Sequence, residues 1–162
     1  MHPVALAQVL VLIALANSSP VIAKLIWGKA YAWPIDGNTR FVDGRPLLGP
    51  SKTIRGVVVS LVTTALGAWF LGLEMRIGLL AAFAAMAGDL LSSFLKRRLG
   101  LSPSSKTTGL DQLPESLFPL LACRSVLSLT ITDIVAGCAI FFVGEVLLSR
   151  LLFHLRLRDR PY

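Results

Sequence analysis

The sequence predicts an all-α integral membrane protein, a bundle of about five transmembrane helices with two polar loops. Three observations lead there. Of 162 residues, 54% are hydrophobic and 15% charged, and the mean hydropathy is +0.71, more apolar than a soluble domain of this length. The apolar residues fall in five runs that approach the roughly 20 residues a membrane span needs. The net charge of +7 is concentrated in the segments that alternation of spans places on one side.

The first span covers about residues 4–27 and is interrupted by Asn17-Ser18-Ser19-Pro20. It lacks the cationic start of a cleaved signal peptide and reads as a retained span. Pro20 removes an amide donor, frees a carbonyl and kinks the helix. The polar lining at that kink predicts an intramembrane cavity; a hydrogen bond between helices is the competing reading. The second span covers about 54–73 and the third about 77–95. The fourth, about 113–129, is short and holds Glu115, Pro119 and Arg124. The fifth covers about 131–153. Two turns, 73–76 and 129–130, and two long loops, about 28–53 and 99–112, join them. Residues 1–162 read as one transmembrane domain without repeats.

Alternation puts both long loops and the C-terminus on one face. That face receives Lys24, Lys29, Arg40, Arg45, Lys52, Arg55, Lys96, Arg97, Arg98, Lys106, Arg150, Arg156, Arg158 and Arg160. The other face keeps Arg76, and Arg124 lies within span four. The positive-inside rule then makes the long loops cytoplasmic and the N-terminus external, in the cell membrane. On a spanning chain these cations meet anionic headgroups or a phosphorylated substrate, and no nucleic acid.

The most informative residue is Asp89. An ionisable group inside a span is costly and marks a functional site by default. Helical spacing aligns Asp89, Ser92, Ser93, Lys96 and Arg97 on one side. The stripe offers a ligand for a hard cation, then hydroxyls, then phosphate-binding cations. Asp111, at the start of span four, is a second candidate carboxylate for a divalent cation, with a plain helix cap as the alternative; Glu115 lies one turn on. Magnesium suits such a site, because it takes one or two carboxylates, keeps waters and completes its shell with phosphate oxygens.

In the first loop, Asp36-Gly37 and Asp43-Gly44 mark turns. Ser51 is the expected N-cap of the second helix. Lys52 and Arg55 would then sit in its first turn, opposing the helix dipole unless an anion binds there. The glycine spacing around Lys52-Thr53 does not fit a P-loop. Arg124 and Glu145 are expected to pair between spans four and five, and Asp133 suits the start of span five. Cys123 and Cys138 read as small buried hydrophobes. No Ser–His or Cys–His pairing is visible, and metal-assisted phosphoryl or nucleotidyl transfer needs none.

Several blocks in order carry a family resemblance: Asn17-Ser18-Ser19-Pro20, Pro34-Ile35-Asp36-Gly37, Leu48 to Gly56, Gly88-Asp89 with Ser93 to Arg98, and Leu110-Asp111-Gln112. From about Asn17 to Glu115 the chain resembles the archaeal branch of the membrane CTP-transferase family. Bacterial and eukaryotic members share the Ser-x-x-Lys-Arg element, here Ser93 to Arg97. They follow it with a Pro-Gly-His-Gly-Gly segment that this chain lacks.

The resemblance implies that the phosphate of an isoprenoid ether glycerol phosphate, 2,3-bis-O-geranylgeranyl-glycerol 1-phosphate, attacks the α-phosphorus of CTP. Pyrophosphate leaves, and a CDP-activated lipid for phospholipid biosynthesis results. It implies Mg2+ on Asp89 and Asp111, with Lys52 and Lys96 completing the catalytic set. Lys52, Thr53, Arg55, Ser93, Lys96, Arg97 and Lys106 would meet the triphosphate, Asp36 and Asn38 the ribose or cytosine. Asn17, Ser18 and Ser19 would shape the lipid-phosphate pocket. The competing readings are an anion transporter, a CTP-dependent polyprenol kinase and a CDP-alcohol phosphatidyltransferase; the last lacks its downstream aspartates.

Overall fold

The computed structural model describes residues 1–101 and 109–154, with side chains described as far as 148. Five helices appear in order: α1 (Pro3–Trp27), α2 (Ile54–Phe70), α3 (Met75–Arg98), α4 (Gln112–Ala122) and α5 (Ile131–His154). Among the described residues, α1, α3 and α5 each hold a stretch long and apolar enough to cross a membrane. The protein is an all-α integral membrane protein.

The helices pack around α3, which meets α1, α2 and α4. Its inward faces are lined by Gly78, Ala81, Ala82, Ala85 and Gly88. Small residues let backbones approach closely, which is how helices associate where lipid removes the hydrophobic drive. A Cβ on Gly78 would lie 2.5 Å from the Thr64 carbonyl of α2, and one on Gly88 2.3 Å from the Pro114 carbonyl of α4. The apolar core lies towards the other end and joins Leu6, Val9, Leu12 and Ile13 of α1 to Ala81, Leu120 and Ile134.

Pro20 sits inside α1 without ending it. The carbonyl it orphans is that of Ala16, four residues back. The buried Ser60 hydroxyl of α2 donates to that carbonyl at 2.9 Å. At Ala16 the interhelical hydrogen bond is therefore what the structure shows. The hydroxyl of Ser19 and the amide nitrogen of Asn17 have no hydrogen-bond partner among the described residues.

The second helix is capped by Thr53, whose Oγ1 accepts from the Gly56 amide at 3.2 Å. This corrects the Ser51 cap: Lys52 precedes the helix instead of sitting in its first turn. The fourth helix also differs from expectation. It stops at Ala122, and 11 residues span only about 16 Å, roughly half a bilayer core. A run of turns follows, and Arg124 stands exposed within it. Glu145 lies 14 residues beyond the start of α5, about 21 Å along it. That offset removes the expected Arg124–Glu145 pair; Glu145 instead lies in the electrostatic reach of Glu115.

Helix α5 starts where Thr130 and Asp133 exchange bonds. The Thr130 amide and hydroxyl donate to Asp133 Oδ2 at 2.9 and 2.6 Å, and the Asp133 amide donates back to Thr130 Oγ1 at 3.2 Å. This is a capping box. Asp133 Oδ1 also accepts the His2 amide at 3.1 Å, tying the start of α1 to the start of α5. The first long loop and the described ends of the second lie at the opposite end. Cys123 and Cys138 are free thiols, the first buried.

Candidate active site

The stripe on α3 faces inward as spaced. Ser92, Ser93, Lys96 and Arg97 are buried, and Asp89 is partly buried. A cluster this polar is stable only if its charges are compensated. Two ion pairs do this. Lys52 Nζ lies 2.5 Å from both carboxylate oxygens of Asp89. Lys96 Nζ lies 2.8 Å from Asp111 Oδ1, with side chains only 9% and 14% exposed. The four residues come from the first loop, the middle of α3, its last turn and the approach to α4. Glu115 brings a third carboxyl alongside Asp89, with Glu145 and Lys52 also in reach. Gly88 makes that possible, because its missing Cβ lets the Pro114–Glu115 backbone close on α3.

The first loop reaches the site as a braced strap. Pro34 bridges Thr53, the Ile35 amide donates to the Lys52 carbonyl at 2.9 Å, and the Ile54 amide donates to the Trp33 carbonyl at 3.0 Å. Asp36 holds the middle. Its Oδ2 accepts the amides of Leu48 and Gly49 at 2.9 and 3.1 Å, and its Oδ1 that of Asn38 at 3.1 Å. Burial alone would raise the Asp36 carboxyl, but these backbone donors outweigh it and hold it below its ordinary value. Both oxygens are thereby engaged within the loop. Asn38 sits at φ +62° on the exposed turn.

Other candidates are placed differently. Arg55 Nη1 donates to the carbonyls of Gly28 and Ala30, anchoring the chain that leaves α1. Thr53 is the helix cap. Asn17 is half-buried and Ser19 buried, but Ser18 is exposed on the outer side of α1. Lys106 lies outside the described residues, as do the side chains of Arg150, Arg156, Arg158 and Arg160.

Sequence reasoning missed which lysine meets which aspartate, since pairing across 37 positions leaves no local signature. It also missed Asp36 as a loop brace, although Asp-Gly-Asn is an Asx-turn signal. A magnesium ion fits the donor chemistry. The site offers carboxylate oxygens, partly exposed, already balanced by lysines that phosphate could take over. Among the described residues no group of three His, Cys, Asp or Glu is placed to hold a metal ion.

The chain is similar to several known proteins. The family profile described as CarS-like, CDP-archaeol synthase, matches residues 71–162. The CDP-archaeol synthase of Sulfurisphaera tokodaii is 37% identical over 135 residues, covering 80% of this chain and 81% of the relative. That of Pyrococcus furiosus is 41% identical over 123 residues, covering 69% and 70%. A solved intramembrane enzyme for archaeal membrane lipid biosynthesis superposes with a TM-score of 0.72 at 28% identity, over 88% of this chain and 90% of that one. Fold, site and likeness define an intramembrane cytidylyltransferase. The chain belongs to the CDP-archaeol synthase family.

Proposed function

We propose that the protein transfers CMP from CTP to the phosphate of 2,3-bis-O-geranylgeranyl-glycerol 1-phosphate, giving CDP-archaeol and pyrophosphate with Mg2+ as cofactor. The observation that carries this reading is the pair of internal lysine–aspartate bridges in an apolar bundle. Each bridge stores a cation and an acid that a metal-bound triphosphate can separate, the acid turning to metal and the lysine to phosphate.

Asp89 and Asp111 would hold the magnesium ion. When bound, it screens the triphosphate and stabilises charge on the departing pyrophosphate. Lys52 and Lys96 release their carboxylates and donate to phosphate oxygens, charge-assisted bonds that strengthen as negative charge moves to the leaving group. Arg97 and Ser93 lie beside Lys96 on the same buried face and extend the donor set; Lys106 is assigned there on sequence alone. Thr53 and Arg55 act by fixing the start of α2 behind Lys52. Asp36 acts by bracing the strap, and Asn38 is the remaining candidate for the ribose or base.

An oxygen of the lipid phosphate forms a new bond to the α-phosphorus, and the bond from that phosphorus to the bridging oxygen breaks. No base is required, because the nucleophile is already an anion. Asn17 and Ser19, with polar atoms free of partners among the described residues, would receive the lipid phosphate; exposed Ser18 contributes to the rim. The loop end faces the cytoplasm and the N-terminus lies outside.

The test is pyrophosphate release by purified protein with CTP and magnesium, with and without the geranylgeranyl ether lipid. Lipid-dependent pyrophosphate that disappears on chelation is expected. CDP released with a polyprenol acceptor would move the chain to the kinase branch. Silence with both lipids would favour anion transport.

A further inference from the structure

The end of α3 and the first loop exchange arginines. Arg45, on the loop, donates through Nη1 to the carbonyl of Arg98 at 2.6 Å and to that of Arg97 at 3.5 Å. It thereby serves the Arg98 carbonyl at the helix end and adds to the Gly100 amide, which already donates to the Arg97 carbonyl at 3.2 Å. Arg98, on the helix, reaches the opposite way. Its Nη1 lies 2.5 Å from Asp43 Oδ1, and its Nη2 donates to the Pro46 carbonyl at 2.6 Å. Its guanidinium also lies 4.7 Å from the Phe41 ring centre and 5.0 Å from that of Phe94, and those two rings meet edge to face. A guanidinium held by a fork and by two aromatic rings is a strong, directional anchor that an ammonium does not reproduce.

The loop segment so held is a small hairpin, with Arg40 bridged to Pro46 and the Phe41 amide donating to the Arg45 carbonyl at 2.8 Å. From there the chain of bonds runs through the Leu47 amide to the Thr39 carbonyl, through the Asp36 brace at Leu48 and Gly49, and on to Lys52. Lys52 then returns to α3 at Asp89. The strap is thus fastened to α3 twice, at positions nine residues apart, about 14 Å along the axis. Ser93, Lys96 and Arg97 lie on α3 between the two fastenings.

We infer that Arg98, Arg45 and Asp43 are positioning residues that clasp the strap to α3 and so set the reach of Lys52 into the nucleotide site. Arg98 belongs to the run Lys96-Arg97-Arg98, yet its guanidinium serves the loop while its two neighbours are buried on the site face. The Asp89 fastening gives way to substrate and the Arg98 fastening does not. This role rests on the nucleotide-transfer reading above.

Two readouts separate the clasp from that reading. Amide hydrogen exchange on the substrate-free protein in detergent should show residues 39–49 of Arg98→Ala exchanging at least tenfold faster, with α1 to α3 unchanged. Steady-state kinetics of the same variant should show a CTP KM raised about tenfold, with kcat and lipid KM within about twofold. Arg98→Lys, which keeps charge and loses the fork and ring contacts, should resemble Arg98→Ala. Asp43→Asn added to Arg98→Ala should do no further harm.

Unchanged loop exchange overturns the clasp. Faster exchange with unchanged CTP KM overturns its positioning role. Wild-type behaviour of Arg98→Lys, or a lowered kcat at unchanged CTP KM, makes Arg98 a phosphate ligand instead and overturns the inference. A wild-type protein that does not turn over CTP refutes the nucleotide reading and leaves the exchange result standing.

Discussion

Asp89 and Lys52 explain each other. A carboxylate partway along an apolar helix is costly to bury alone, and a lysine at 2.5 Å offsets that cost while leaving both groups exchangeable. Asp89→Asn should therefore leave the protein folded in detergent and lower turnover by about 10²–10³-fold, the scale of losing one electrostatic contributor to a transition state. Retained turnover would remove Asp89 from the metal site. Lys52→Ala should act on the other half of the pair. Losing a charge-assisted hydrogen bond costs about 1.5–3 kcal/mol, roughly ten- to a hundredfold in apparent CTP affinity, with lipid affinity little changed. Kinetics with each substrate varied in turn would show it, and an unchanged CTP dependence would take Lys52 out of the nucleotide site.

At the scale of the element, α3 works through what it lacks. Its glycines and alanines let α2 and α4 approach to backbone contact, and the close approach at Gly88 brings Glu115 to Asp89. A Cβ at Gly88 would lie 2.3 Å from a backbone carbonyl and 2.9 Å from the Glu115 amide, so α4 must retreat to admit it. Overpacking of this kind costs about 1–3 kcal/mol. Gly88→Ala should lower the melting temperature in detergent and reduce turnover beyond what the lost stability explains, because α4 carries Glu115 and follows Asp111. A variant with wild-type melting and turnover would show that the α3–α4 spacing is slack. Helix α1 shows the complementary device: Pro20 removes an amide, and Ser60 of the next helix takes the carbonyl left behind. The freed carbonyl was legible from Pro20 in the sequence, but the identity of the hydroxyl that satisfies it was not.

For the whole molecule, cations collect at the end where the first long loop, the start of α2 and the end of α3 converge. In the proposed orientation that end is cytoplasmic. In a cysteine-free background, Glu74→Cys and Asn38→Cys place single thiols at exposed positions of opposite ends. An impermeant maleimide added to intact cells should label the first and spare the second. The reverse pattern would invert the topology and put the nucleotide site outside the cell.

The sequence by itself determined the helical class, the gathering of charge at one end and the inward stripe from Asp89 to Arg97, because each follows from local periodicity and composition. It misjudged the fourth segment, where apolar character continues past Ala122 although the helix does not, and it set the Ser51 cap two residues early. Hydropathy reports what can lie in a bilayer and says little about where backbone hydrogen bonding stops. Only the tertiary structure decided that Lys52 pairs with Asp89 and Lys96 with Asp111, that Asp36 braces a loop, and that Arg98 grips the strap while its neighbours face the site. Such pairings join residues 12 to 55 positions apart, and they depend on the close approach of helices that small side chains permit.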